Sequence, residues 1–246
     1  MDYGLSVTND YGSVIISSSY KVLVFSERGL FQITSRYSDR EGAGEVTFAK
    51  PVLTQEPPQV FVRHIKGRHN GLAVYTTLRG SAGNWTGFKV TSAAAGGDLQ
   101  NHSMEYVTCK YSDKSSTDVY GLEVYDEQGK IAFTSSDRVV KYNKFTRNWR
   151  WQQFGGRSPL QVFHSDLAID ADDFISISSI DRGVSWYMDG VDYAGLRLLD
   201  GGKPVLAMTI NAEVDQNQYG GYWYQGTNGT SFAIPVCKFP IEKYYN

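Results

Sequence analysis

Tyr3-Gly4-Leu5-Ser6-Val7 returns as Tyr120-Gly121-Leu122-Glu123-Val124, 117 residues further along the chain. The match continues without a gap. Gly12 meets Gly129, Ser18 and Ser19 meet Ser135 and Ser136, and Val22 meets Val139. Residues 2–23 and 119–140 share eight identities in 22 aligned positions, several times what random pairing gives. Most other positions exchange similar side chains, as in Asn9/Asp126, Val14/Ile131 and Lys21/Arg138. Self-similarity of this kind organises the reading of a whole chain.

The repeat extends more weakly. Gly87-Phe88-Lys89-Val90 pairs with Gly195-Leu196-Arg197-Leu198, and Cys109-Lys110-Tyr111 with Cys237-Lys238-Phe239. Two copies of one unit are expected, at 1–114 and 118–246, joined by the polar stretch Ser112–Thr117. The changing offset places extra residues of the second copy at Asn211–Ser231. Equal contexts make Cys109 and Cys237 equivalent core thiols rather than a disulfide.

The apolar pattern has a period of two. Leu5 and Val7 alternate with Gly4 and Ser6, and Phe174-Ile175-Ser176-Ile177-Ser178 alternates likewise. Strands are also expected around 21–25, 72–78, 88–92, 105–111, 138–142, 184–188, 205–210 and 232–238. Each copy opens with two strands around a four-residue turn, Asn9-Asp10-Tyr11-Gly12 and Asp126-Glu127-Gln128-Gly129. Asx first and Gly last suit a type I turn closed by a left-handed glycine. No 12-residue stretch carries a helical stripe. The expected fold is all-β: two tandem duplicated β-sandwich-like domains, 1–114 and 118–246.

A chain of 246 residues can bury a core without staples. With 24 basic and 26 acidic residues its net charge is −2, so the basic footprint of nucleic-acid binding is missing. No apolar run reaches the ~18 residues of a bilayer span. The N-terminal residues have no secretory signal pattern, which places synthesis in a cytosol. The sequons at Asn84, Asn101 and Asn228 then carry no meaning, and both cysteines are expected to be reduced.

Each candidate site has a plain reading beside it. His64 and His69 flank two cations and read as a turn rather than a metal site; His102 and His164 are isolated. Asp166, Asp170, Asp172 and Asp173 could offer oxygens to Ca²⁺, but no EF-hand order is present and a solvated loop is the simpler reading. A glycosidase carboxylate pair is not singled out. No nucleophile elbow, phosphate loop, zinc-protease or dinucleotide motif occurs, so no catalytic residue, metal or cofactor is assigned. Trp149 and Trp151 alternate with polar neighbours, as core tryptophans or an exposed binding face. Within Asn211–Ser231, the aromatics Tyr219, Tyr222, Trp223 and Tyr224 lie among Gly, Asn and Gln, the composition of adaptable recognition loops. Packing against a neighbouring subunit, contact with a ligand or receptor, and packing within the chain all remain open for them.

The pattern Tyr-Gly-Leu-x-Val-x-Asp-x-x-Gly-x-x-x-Phe is complete at Tyr120–Phe133. At Tyr3–Ile16 it is degenerate, with Asn9 for the Asp and Ile16 for the Phe. It resembles the opening of a group of tailed-bacteriophage virion proteins encoded with tail-tip and host-specificity components, and the resemblance covers about 25 residues per copy. It implies a non-enzymatic structural protein of the distal tail, assembled in the bacterial cytoplasm and carried in the virion. Partners would be other tail proteins and further copies of the chain. The rival readings are a receptor-binding module contacting a host surface glycan through Tyr222–Tyr224, and a polysaccharide-cleaving enzyme using Asp166–Asp173.

Overall fold

The computed structural model describes residues 6–8, 14–17, 20–36, 41–66, 73–93, 102–116, 118–146, 150–153, 160–178, 185–187, 190–199, 205–211 and 233–246. Nineteen strands and no helix occur among them. The first copy contributes β1 (Ser6–Thr8), β2 (Val14–Ser17), β3 (Leu23–Ile33), β4 (Ser35–Arg36), β5 (Glu41–Val52), β6 (Gln59–Lys66), β7 (Ala73–Ser81), β8 (Asn84–Ala93) and β9 (His102–Tyr111). The second contributes β10 (Glu123–Tyr125), β11 (Ile131–Thr134), β12 (Tyr142–Phe145), β13 (Arg150–Gln153), β14 (Leu160–Ala168), β15 (Asp173–Ser176), β16 (Ser185–Tyr187), β17 (Gly190–Leu199), β18 (Val205–Asn211) and β19 (Pro235–Lys238).

Register ties the two halves together. In the hairpin β1–β2, Ser6, Val7 and Thr8 stand opposite Ser17, Ile16 and Val14. In β10–β11, Glu123, Val124 and Tyr125 stand opposite Thr134, Phe133 and Ile131. Every partner is displaced by 117, and both ladders are interrupted at the same step. The relation persists in the core. Cys109 of β9 faces Phe25 of β3, and Cys237 of β19 faces Tyr142 of β12. The ladder of β3 slips at Ser26 and that of β12 at Asn143, again 117 apart.

The sheet order shows how the halves combine. The six-stranded sheet runs β12-β19-β15-β6-β9-β3. The larger sheet runs β13-β14-β18-β17-β7-β8-β5-β4, with β16 added to β17. Replacing each strand by its counterpart reverses both orders onto themselves, the signature of a pseudo-twofold axis. That axis passes between β6 and β15, where Phe61 faces Ser176, and between β7 and β17. The boundary at 114/118 thus divides the repeat but not the fold. Each sheet takes strands from both sides, so 1–114 and 118–246 are not separate tandem sandwiches. The physical reason is edge pairing: β6 and β7 leave backbone donors and acceptors that the second half satisfies.

Two further expectations are corrected. Gly87–Val90 lies in β8 and Gly195–Leu198 in β17, which are not counterparts; β17 corresponds to β7 and β18 to β8. Short Gly-aromatic or Gly-aliphatic runs recur in any half-buried strand, so their likeness does not mark counterpart positions. His64 lies in β6, opposite Met104, rather than in a turn; the ladder slips directly after it. Of the expected insertion Asn211–Ser231, Asn211 ends β18 and the rest lies outside the described residues.

The smaller sheet curls until its ends meet. Val24 pairs with Val139 in an isolated bridge. The Phe25 amide donates to the Arg138 carbonyl at 2.9 Å, and the Val140 amide donates to the Leu23 carbonyl at 2.9 Å. Two residues later the chain enters β12, the opposite edge. Inside this ring lie Leu23, Phe25, Phe61, Val107, Cys109, Val140, Phe174, Cys237, Phe239 and Tyr244. Its outer face packs on the larger sheet through Phe31, Ile33, Val60, Val62, Met104 and Ile175 against Val46, Phe48, Phe88 and Val90. Phe88 meets Phe31 edge-on at 5.7 Å and Tyr106 at 5.3 Å, the geometry that aromatic quadrupoles favour. Alternation within β6 makes this double use possible: Val60 and Val62 point out while Phe61 points in.

Candidate functional site

The mouth of the ring is the most elaborate polar construction among the described residues. Glu105 shares a face of β9 with Val107 and Cys109, so its strand phase carries a carboxylate inward. Arg28 of β3 and Arg63 of β6 close on it. Arg28 Nε donates to Glu105 Oε1 at 3.0 Å and Arg63 Nε to Oε2 at 2.7 Å. Arg28 Nη2 reaches the same Oε1 and Arg63 Nη2 the same Oε2, so each guanidinium forks onto one oxygen of the carboxylate. Arg63 also lies over the Phe174 ring at 5.1 Å. Arg28 Nη1 then donates to the carbonyls of Phe239, at 3.2 Å, and Tyr244, at 2.8 Å. The triad thereby clamps the segment 239–245 into the ring, where Phe239 packs edge-on against Phe61, Phe174 and Tyr244. A cavity of about 380 Å³ remains beside Arg63, Asp172, Phe174, Lys238 and Ile241.

The aspartate run adjoins this mouth. Asp170 and Asp172 are exposed in the turn between β14 and β15, whereas Asp173 is fully buried at the start of β15. The solvated-loop reading therefore fails for Asp173. Lysines from neighbouring strands meet the group. Lys144 Nζ donates to Asp173 Oδ2 at 2.6 Å and to Asp170 Oδ2 at 2.9 Å. Lys238 Nζ donates to both oxygens of Asp172, at 2.7 and 2.9 Å. Carboxylate oxygens of Asp170, Asp172 and Asp173 lie within 4.8 Å of one another, close enough for a cation, yet two ammonium groups already serve them. The Lys144 bonds hold the Asp170 carboxyl below its usual range, and those of Lys238 do the same for Asp172. Burial pulls Lys144 down, but its bonds to Asp173 and Asp170 outweigh it and raise it overall. The arrangement is a turn closed by ion pairs.

A second concavity, about 640 Å³, opens where β3 and β5 approach the linker. Val24, Phe25, Pro51, Val52 and Tyr106 form an apolar floor, and Lys50, Lys110, Lys114 and Arg138 outnumber Asp113 and Asp137 at the rim. Beneath it, Glu27 is buried and satisfied: the Tyr106 hydroxyl donates to Oε1 at 2.8 Å and the Ala49 amide to Oε2 at 2.9 Å.

The repeated motif itself is partly exposed. A Cβ at Gly121 would displace Ser135 Oγ from its place. Ser135 Oγ accepts from the Leu122 amide at 3.0 Å, and the Ser135 amide donates back to Leu122 O at 2.8 Å. Their counterparts in the repeat, Gly4 and Ser18, lie outside the described residues. Val124 is buried. Tyr120, however, is 91% exposed, Val119 90% and Leu122 49%. The turn behaves as expected: Gly129 has φ +72°, and its amide donates to Asp126 O at 2.9 Å.

Of the singled-out residues, Trp151 lies in β13, the terminal strand of the larger sheet, opposite Phe163. Trp149, Tyr219, Tyr222, Trp223 and Tyr224 lie outside the described residues, as do His69 and Gly12. Cys109 and Cys237 are both free and buried, in counterpart strands. Burial pushes both thiols up, Cys237 to about 12. Arg28, Arg63 and Glu105 were not singled out. The available signal was a carboxylate in phase with Val107 and Cys109 on an apolar strand face. Comparison of the chain with protein-family models, with curated proteins and with solved structures found no match.

Proposed function

We propose that the chain is a non-enzymatic structural protein of a tailed-phage virion, placed in the distal tail, which works through protein–protein interfaces. The observation that supports this most is the pair of repeated openings. Their Gly, Ser and Val positions answer to the hairpin's own packing, but Tyr120 and Leu122 are exposed, and the first copy repeats them as Tyr3 and Leu5. Exposed apolar side chains kept together suit contact with another protein. The resemblance of Tyr120–Phe133 to tail-tip proteins supplies the setting. The pseudo-twofold order supports it too, since one chain then offers two quasi-equivalent surfaces to its neighbours.

The test is the protein content of purified particles. Mass spectrometry of phage particles is expected to find the chain at a fixed small ratio to the tail-tube protein, and particles lacking it are expected to have defective tails. Finding it in infected cells but never in particles would overturn the reading.

A further inference from the structure

We infer that the chain self-associates head to tail, the hairpin β10–β11 of one copy seating its apolar approach on the basic-rimmed groove beside β3 of the next. This deepens the structural-protein reading and rests on it.

The two surfaces match in size, polarity and charge. The hairpin side offers Val119, Tyr120 and Leu122 within four residues, and Tyr125 is 47% exposed further along. Acidic groups surround them: Asp118 and Glu127 are exposed, and Glu123 is held below its usual pKa by the Tyr125 hydroxyl and the Ser116 amide, so it stays charged. The groove offers an apolar floor with four cations at its rim beside two carboxylates, Asp113 and Asp137, the latter already bonded by the Ser112 hydroxyl and the Thr134 amide. Lys110 is partnered by Asp113, and Arg138 lies over the Phe25 and Tyr245 rings. Lys50 and Lys114 are exposed there. A volume of about 640 Å³ accommodates a tyrosine and its aliphatic neighbours. Complementary charge around an apolar centre sets orientation and speeds encounter.

The contact joins different patches on the two copies. Made in one direction it is heterologous and builds rings or open filaments, whereas a reciprocal exchange would stop at a closed pair of twice the monomer mass, which would overturn the head-to-tail arrangement.

Sedimentation velocity of the full chain provides the test. Association is expected to rise with concentration and to weaken at high salt. Glu127→Lys with Asp118→Lys should weaken it at least tenfold, as should Lys50→Glu with Lys114→Glu. Mixing the two double variants should restore mixed dimers, because each keeps the surface its partner reversed; these positions are exposed, so the fold is retained. Tyr120→Ser should weaken association without altering its salt dependence. A chain that stays monomeric at all concentrations, or double variants that fail to complement, would overturn the inference. The particle-composition result would still judge the structural-protein reading separately.

Discussion

Leu23 and Val140 occupy corresponding positions in the two copies, and they pair with each other: the Val140 amide donates to the Leu23 carbonyl at 2.9 Å. Phe61 and Ser176 stand in the same relation on the opposite side of the ring. A residue meeting its own counterpart marks an axis, and here both crossings join the halves. Residues 1–114 produced alone are therefore expected to lack cooperative unfolding, as are 118–246, whereas the two fragments together should recover near-ultraviolet dichroism. A fragment that unfolds cooperatively on its own would show that one copy suffices.

Two glycines separate conformational strain from steric conflict. Gly129 has φ +72° and open space around a Cβ, so Gly129→Ala should cost about 1–2 kcal/mol. Gly129→Asn should recover most of that, because Asn tolerates the left-handed region. Gly87 would drive a Cβ into the Val46 carbonyl. There Asn should be worse than Ala. Urea midpoints of the four variants give the ranking.

Glu105 balances two guanidiniums at the ring mouth, with side-chain exposures of 12% for Arg28 and 10% for Glu105. Glu105→Ala should destabilise by about 3–5 kcal/mol, the usual result of stranding a buried charge. Arg28→Ala should act more locally, speeding hydrogen exchange in 239–245 before global unfolding. Equal exchange rates in that segment for the variant and the parent would contradict the clamp.

The Lys144–Lys238–aspartate group gives stability a defined pH window. Asp170 and Asp172 have depressed folded values, so their contribution is present above the unfolded value near ~4 and is lost as pH falls through the folded ones. Lys144 and Lys238 are raised, so theirs is present below about 10.4 and is lost as pH rises. Lys144→Met should flatten both limbs in a urea-midpoint series. It should also lower stability at neutral pH, because buried Asp173 then keeps only the Asp170 amide at 2.8 Å and the Lys238 ammonium at 3.8 Å. A variant whose limbs keep the parent's slopes would remove this network from the account.

Both thiols should resist alkylation in the folded protein at pH 8 and react fully in urea. Burial raises each, so stability should decline above the unfolded thiol range near ~8.5, where only the unfolded chain ionises readily. Rapid native labelling of either cysteine would contradict their position inside the ring.

Much of the architecture was legible where alternation was clean. Phe174–Ile177, Glu105–Tyr111 and the paired openings became strands and hairpins as their period of two required. Strand β5 was missed because Glu41-Gly42-Ala43-Gly44-Glu45 has little intrinsic strand preference. Its glycines serve close packing instead, with Gly44 set against the Gln32 backbone. The repeat was readable, but the pairing of β6 with β15 was not, since no local pattern states which edge a strand will meet. The mouth triad lay hidden for a related reason: Arg28, Arg63 and Glu105 come from three strands that only the curled sheet brings together.

The interleaving also bears on exchange between copies. Every hydrogen bond joining the halves could be made with a half from another molecule, which is the condition for domain swapping. What holds the native arrangement is the linker at 112–118. The Ser112 amide donates to Val22 O at 3.0 Å, its hydroxyl bonds Asp137 Oδ2 at 2.6 Å, and the Ser116 amide donates to Glu123 Oε1 at 2.7 Å. A joint fastened at both ends keeps its own second half within reach at a high effective concentration, and a neighbour's half competes poorly. Shortening that joint until it can no longer span its two ends would convert a single chain into an intertwined pair without altering one core contact.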